Sequence, residues 1–92
     1  MTFGERLKAL RVKAKKSRYR LAQYSGIDQA YLLRLESGER TNPSRDIVIM
    51  LSLALVENSE RVTVHDIDEL LLTAGYAPLK RRGERQTSVV AL

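Results

Sequence analysis

Residues 17–38 read SRYRLAQYSGIDQAYLLRLESG, and the fold turns on how this stretch is parsed. Leu21 and Ala22 form an apolar pair; after Ser25 and Gly26, a second apolar set of Ile27, Leu32 and Leu35 recurs at helical spacing. Two short helices sharing one core satisfy this pattern. Ala22 is small enough to let a crossing helix approach, and Gly26 can adopt the positive φ that a tight helix-to-helix connection requires. Asp28 suits an N-cap whose side chain accepts from the free amides of Ala30 or Tyr31. The second helix is therefore predicted over 29–37, ending at Gly38.

The segment LAQYSGIDQAYLLRLESG resembles the Cro-like (Xre-type) helix-turn-helix family of phage and bacterial repressors, matching its LA..SG....YL..IE.G core. The resemblance runs over roughly residues 3–56. It implies an all-α, five-helix, lambda-repressor-like DNA-binding domain that acts as a transcriptional regulator, usually as a dimer. Charge supports this independently of the motif. Residues 1–45 hold 11 Lys or Arg against 4 Asp or Glu, a net of +7; residues 46–79 carry −5 and residues 80–92 carry +3. Positive charge thus gathers where the motif lies, as a face that releases counterions from a polyanion requires.

A helical wheel for 29–37 puts Asp28, Leu32 and Leu35 on one side, with Tyr31 at the edge, and turns Gln29, Ala30, Leu33, Arg34 and Ser37 outward. Gln29 can pair bidentately with adenine, Arg34 can read guanine or hold a phosphate, and Ala30 and Leu33 can touch thymine methyl groups. These four are the candidate base contacts. They leave fewer polar readers than the family usually shows, which points to modest discrimination or to DNA shape. By resemblance, Arg18 at the start of the preceding helix points at a phosphate, where its charge opposes the helix dipole. Tyr31 and the loop residues Arg40, Thr41, Asn42 and Ser44 complete the expected backbone contacts, which set register without reading sequence. Glu36, on the flank of the wheel, is expected by the same resemblance to pair with Arg11.

Ser17 can cap the helix that follows it, although Arg20 stands where a full capping box would place an acid or amide. Phe3, Leu7, Leu10 and Ala14 predict a first helix over 2–15, with Lys13, Lys15 and Lys16 at its end complementing the dipole or reaching the DNA backbone. Ser44 caps a helix over 45–56 that is apolar nearly all round, so it is expected to be buried on every side, in part by a second subunit. Thr63 and Asp66 form a capping box for a helix over 64–74, closed by Gly75. Its inward stripe is Ile67, Leu70, Leu71 and Ala74; Leu72 falls outside it. Met50, Leu53 and Leu72 are the candidate dimer contacts. The end of this helix, LLLTAGYAPL, also resembles the MmyB-like group of regulators, in which a sensor domain normally follows; residues 80–92 are expected not to form one.

With 92 residues and 43% hydrophobic content, one modest core is expected. Residues 1–79 are read as the DNA-binding domain and 80–92 as a basic, flexible tail. KRRGER in that tail can also serve as an extra DNA arm, and SVVAL as a strand for a protein partner or as a protease tag. The chain has no cysteine and no apolar run long enough for a signal peptide or a membrane span, so a cytoplasmic protein off the membrane is expected. His65 lacks neighbours at metal-ligand spacing, and Asp66, Asp68 and Glu69 suit a helix start. No catalytic residue, metal or cofactor is indicated. The expected partners are double-stranded DNA bearing an inverted repeat and a second copy of the chain. An antitoxin using the same domain, or a protein-interaction module of this fold, is the alternative.

Overall fold

The computed structural model describes residues 1–80, and five helices follow one another with no strand among the described residues. They are α1 (Phe3–Lys13), α2 (Arg18–Ser25), α3 (Gln29–Ser37), α4 (Arg45–Val56) and α5 (Val64–Thr73). The expected all-α, five-helix architecture is therefore present. The tail segment 81–92 lies outside the described residues.

Short-range chemistry explains most of the helix ends. Thr2 Oγ1 accepts from the Glu5 amide at 3.1 Å while the Glu5 carboxylate accepts from the Thr2 amide at 2.9 Å, a capping box that starts α1. The bond from the Thr2 amide, helped by the Thr2 hydroxyl, holds the Glu5 carboxyl below the usual carboxylate range. Ser17 Oγ accepts from the Arg20 amide at 3.0 Å, and Ser44 Oγ from the Ile47 amide at 3.2 Å. Gly26 and Gly38, at φ 75° and 85°, end α2 and α3 in the left-handed region open to glycine. Thr63 and Asp66 make the expected capping box of α5.

The helices assemble around Leu7, Leu21, Leu32, Leu35, Leu51 and Leu55, all fully buried. α1 packs on α3 and α5, α2 packs on α3 and α4, and α4 also meets α5. Gly4 permits the α1–α3 approach: a Cβ on Gly4 would lie 2.3 Å from the Leu35 carbonyl oxygen and 2.8 Å from that of Glu36. No side chain fits there.

One expectation needs correction. α1 stops short of 15, because Ala14 closes it and Lys15 turns left-handed at φ 58°. That turn drives Lys16 inward, where its ammonium donates to the carbonyls of Leu55, at 3.2 Å, and Glu57. Lys16 thus neutralises the carbonyl end of α4 and does not reach for a phosphate. Lys13 is also engaged within the fold, bonding Asp66 Oδ2 at 2.7 Å. Burial pushes the Asp66 carboxyl up, but the bonds from Lys13 and Thr63 outweigh it and hold the group below its ordinary value. Within the single chain α4 is covered on part of its surface. Val48, Leu51, Ala54 and Leu55 are buried, whereas Leu53 is 64% exposed and Met50 39%. Its two neighbours, α2 and α5, cover only part of its circumference.

Replacing Gly4 by Ala forces a methyl group into backbone oxygens. Gly4→Ala is expected to lower the urea midpoint by the equivalent of about 1 to 3 kcal/mol, read by circular dichroism. An unchanged midpoint would contradict the close approach of α1 and α3.

Candidate nucleic-acid interface

The presenting helix is α3, and its two faces differ sharply. Leu32 and Leu35 are fully buried against the core, while Gln29, Ala30, Leu33, Arg34 and Ser37 are exposed. Its first turn is capped by Asp28, whose Oδ1 accepts from the Ala30 amide at 3.4 Å. The four residues read as base contacts therefore share one solvent-facing surface at the N-terminal and middle turns of α3. Arg34 has a neighbour that the wheel did not bring out: Glu39 Oε2 lies 3.5 Å from its Nε. Gly38 reverses the chain and carries Glu39 back alongside α3, an effect of the left-handed turn that helical periodicity cannot show.

Behind this face lies a buried charge cluster. Glu36, placed on the flank by the wheel, has a side chain only 3% exposed. Its carboxylate accepts from Arg11 Nε at 2.6 Å and Nη2 at 3.1 Å, a two-pronged contact, and Arg11 Nη1 donates to the Lys16 carbonyl at 3.0 Å. Arg18 Nη1 reaches the same carboxylate at 3.4 Å. Two guanidinium groups thus share one carboxylate, leaving a surplus positive charge on Arg18. That residue sits at the first position of α2 with its side chain 38% exposed, poised between Glu36 and solvent.

The loop after α3 lies on the other side of the presenting helix. Its backbone is fixed by the Arg40 amide donating to the Arg34 carbonyl at 3.0 Å, and the Arg40 guanidinium stands 5.9 Å from the centre of the Tyr31 ring. The structure thereby brings together two of the expected backbone contacts. Thr41 and Asn42 are exposed, Asn42 in a left-handed conformation at φ 57°. Ser44 is exposed too, with its oxygen engaged as the α4 cap. Tyr76, past the end of α5, donates to the Pro43 carbonyl at 2.7 Å and ties the loop to the rest of the fold. That tie joins segments far apart in sequence, and no local pattern signals it.

Met50, Leu53 and Leu72 lie away from this face, on α4 and α5. Leu53 lines an apolar groove with Val56, Val64, Ile67 and Leu79, whereas Leu72 lines a separate depression with His65 and Glu69. The His65 side chain is 81% exposed, 3.7 Å from Glu69. Among the described residues no cluster of three or more His, Cys, Asp or Glu could hold a metal, and no helix is long and apolar enough to cross a membrane.

A two-helix unit with a solvent-facing second helix, flanked by Arg18 on one side and Arg40 on the other, defines a helix-turn-helix protein. The helix-turn-helix family matches residues 7–55, more than half of the chain, and the chain belongs to that family. No curated protein and no solved structure matches it. The family is of the Cro/C1 (Xre) type and binds DNA; its domains are typically non-catalytic. The match stops before α5, and the likeness of that helix to the MmyB-like group finds no support in it.

Glu36→Ala leaves Arg11 buried without its carboxylate and is expected to cost about 3 to 5 kcal/mol in urea unfolding, whereas Arg18→Ala, at a half-exposed site, is expected to cost under about 1 kcal/mol. Equal midpoints for Glu36→Ala and the parent would contradict a structural role for the pair.

Proposed function

We propose that this chain is a homodimeric, sequence-selective transcriptional repressor that acts by occupying an inverted-repeat operator in double-stranded DNA. The observation that carries the proposal is the exposed face of α3, with Gln29 and Arg34 standing clear of the core and cations at both flanks. In this reading Gln29 and Arg34 read base edges, Ala30 and Leu33 meet thymine methyl groups, and Arg18, Tyr31, Arg40, Thr41, Asn42 and Ser44 hold the phosphates. Arg18 suits that role because it carries the positive charge that Glu36 does not balance.

Dimerisation is supported by the uncovered apolar face of α4, where Leu53 and Met50 lie beside Val56, itself 36% exposed. We assign the centre of the interface to Leu53 and its edges to Met50 and Leu72. Two-fold symmetry then places the two α3 helices about 34 Å apart, one turn of the duplex, and makes the operator palindromic. Residues 1–79 serve as the DNA-binding unit, located in the cytoplasm; Leu79 is held there by its amide donating to Asp68 Oδ1 at 2.8 Å. Repression rests on analogy with the family alone, in which occupancy needs no further surface. Leu33, 48% exposed beside Ala30, is also what a protein-docking version of this fold would present, and lack of affinity for any duplex would select that reading.

Gln29→Ala is expected to lose about 1 to 3 kcal/mol on the preferred duplex and little on random DNA, while Arg18→Ala weakens both; equal losses on the two duplexes for Gln29→Ala would contradict base reading. Leu53→Lys is expected to sediment as a monomer and to bind the palindrome more weakly than the parent, and a dimeric Leu53→Lys would move the interface elsewhere.

A further inference from the structure

On the flank of α2 facing away from α3, a cleft of about 810 Å³ opens between the α1–α2 junction and the loop after α4. Lys15, Lys16, Arg20, Tyr24, Glu60 and Arg61 give it its character. Side-chain direction separates it from the presenting face: Arg18 turns toward Glu36 of α3, whereas Arg20 and Tyr24, four residues apart on one side of α2, turn toward the end of α4.

The charges in the cleft do not balance. Lys15, Arg20 and Arg61 are exposed, and none of them forms an ion pair among the described residues, while Glu60 is the single carboxylate in the lining. With the Lys16 ammonium, four cations face one acid in the lining, a surplus of three positive charges, enough to meet the roughly −1.5 to −2 of a phosphate monoester near neutral pH. The buried Lys16 ammonium, 5.6 Å from the centre of the Tyr24 ring, is spent on backbone carbonyls and adds a fixed positive wall without offering a loose donor. Two of the three non-glycine residues with left-handed backbone, Lys15 and Asn58, border this cleft. The volume falls within the range of small-molecule sites.

We propose that this cleft binds a small phosphate ester, with Arg20 and Arg61 as the phosphate-gripping residues and Lys15 as the third cation. Occupation would bridge the α1–α2 junction and the loop after α4, the two segments that Lys16 already joins. The inference is independent of the DNA reading, because it uses none of the residues of the presenting face.

Ribose 5-phosphate, with ribose as the neutral control, is titrated into the 92-residue chain and followed through backbone amide resonances. Saturable shifts centred on Lys15, Arg20, Tyr24 and Arg61, absent with ribose and at least about tenfold weaker in an Arg20→Gln/Arg61→Gln variant, are expected. Both substituted side chains are exposed, so the variant retains the parental spectrum outside the cleft. Absence of saturable shifts up to about 10 mM, shifts confined to Gln29, Arg34 and the loop at 40–44, or undiminished affinity in the variant would each overturn the proposal. So would loss of duplex affinity in the variant without any response to ribose 5-phosphate, which would assign these cations to the DNA backbone.

Discussion

The pairing of Arg11 with Glu36 is the constraint on which the remaining geometry depends. A carboxylate 3% exposed is tolerable only with its charge met at close range, and Arg11 meets it through two nitrogens while satisfying the Lys16 carbonyl with a third. One side chain of α1 therefore fixes the roll of α3 and the path of the chain entering α2. Gly4 sets the distance between the same two helices by leaving room for the carbonyls of Leu35 and Glu36. The direction in which α3 presents Gln29 and Arg34 is a consequence of contacts made on its opposite side.

Charge is distributed with the same economy. Of the lysines closing α1, Lys13 is bonded to Asp66 of α5 and Lys16 to the carbonyl end of α4, so cations that raise the net charge of the N-terminal half also clamp the fold together. Arg18 and Arg40 are the ones left at the edges of the presenting face, each steadied by a neighbour: Arg18 by Glu36 and Arg40 by the Tyr31 ring. In the proposed reading, a guanidinium steadied in this way loses less conformational freedom when a phosphate arrives. The exposed apolar side chains of α4, Leu53, Met50 and Val56, are the surface that the proposed dimer uses.

Features governed by near neighbours in the chain were legible in the sequence. Asp28, Gly26, Gly38, Thr63 and Ser44 declare helix ends because capping is a contact within a few residues, and the outward set on α3 follows from its pitch alone. What escaped depends on segments distant in sequence. Lys16 reads as a cation at the end of α1, suited to the dipole or to a DNA phosphate, until the left-handed turn at Lys15 and the carbonyls of Leu55 and Glu57 are placed around it. Gly4 gives no signal because the atoms that forbid a side chain there belong to α3, and the Tyr76 contact to Pro43 has none for a similar reason. The apolar circumference of α4 signals burial, but which part its own fold covers depends on α2 and α5, its main neighbours, and pattern alone does not show it.

The most direct test of the central account is selection of duplexes from a random library with the purified chain at two salt concentrations. The account predicts a palindromic consensus with half-sites one helical turn apart and affinity that falls steeply as salt rises. Failure to enrich any duplex at low ionic strength would contradict it.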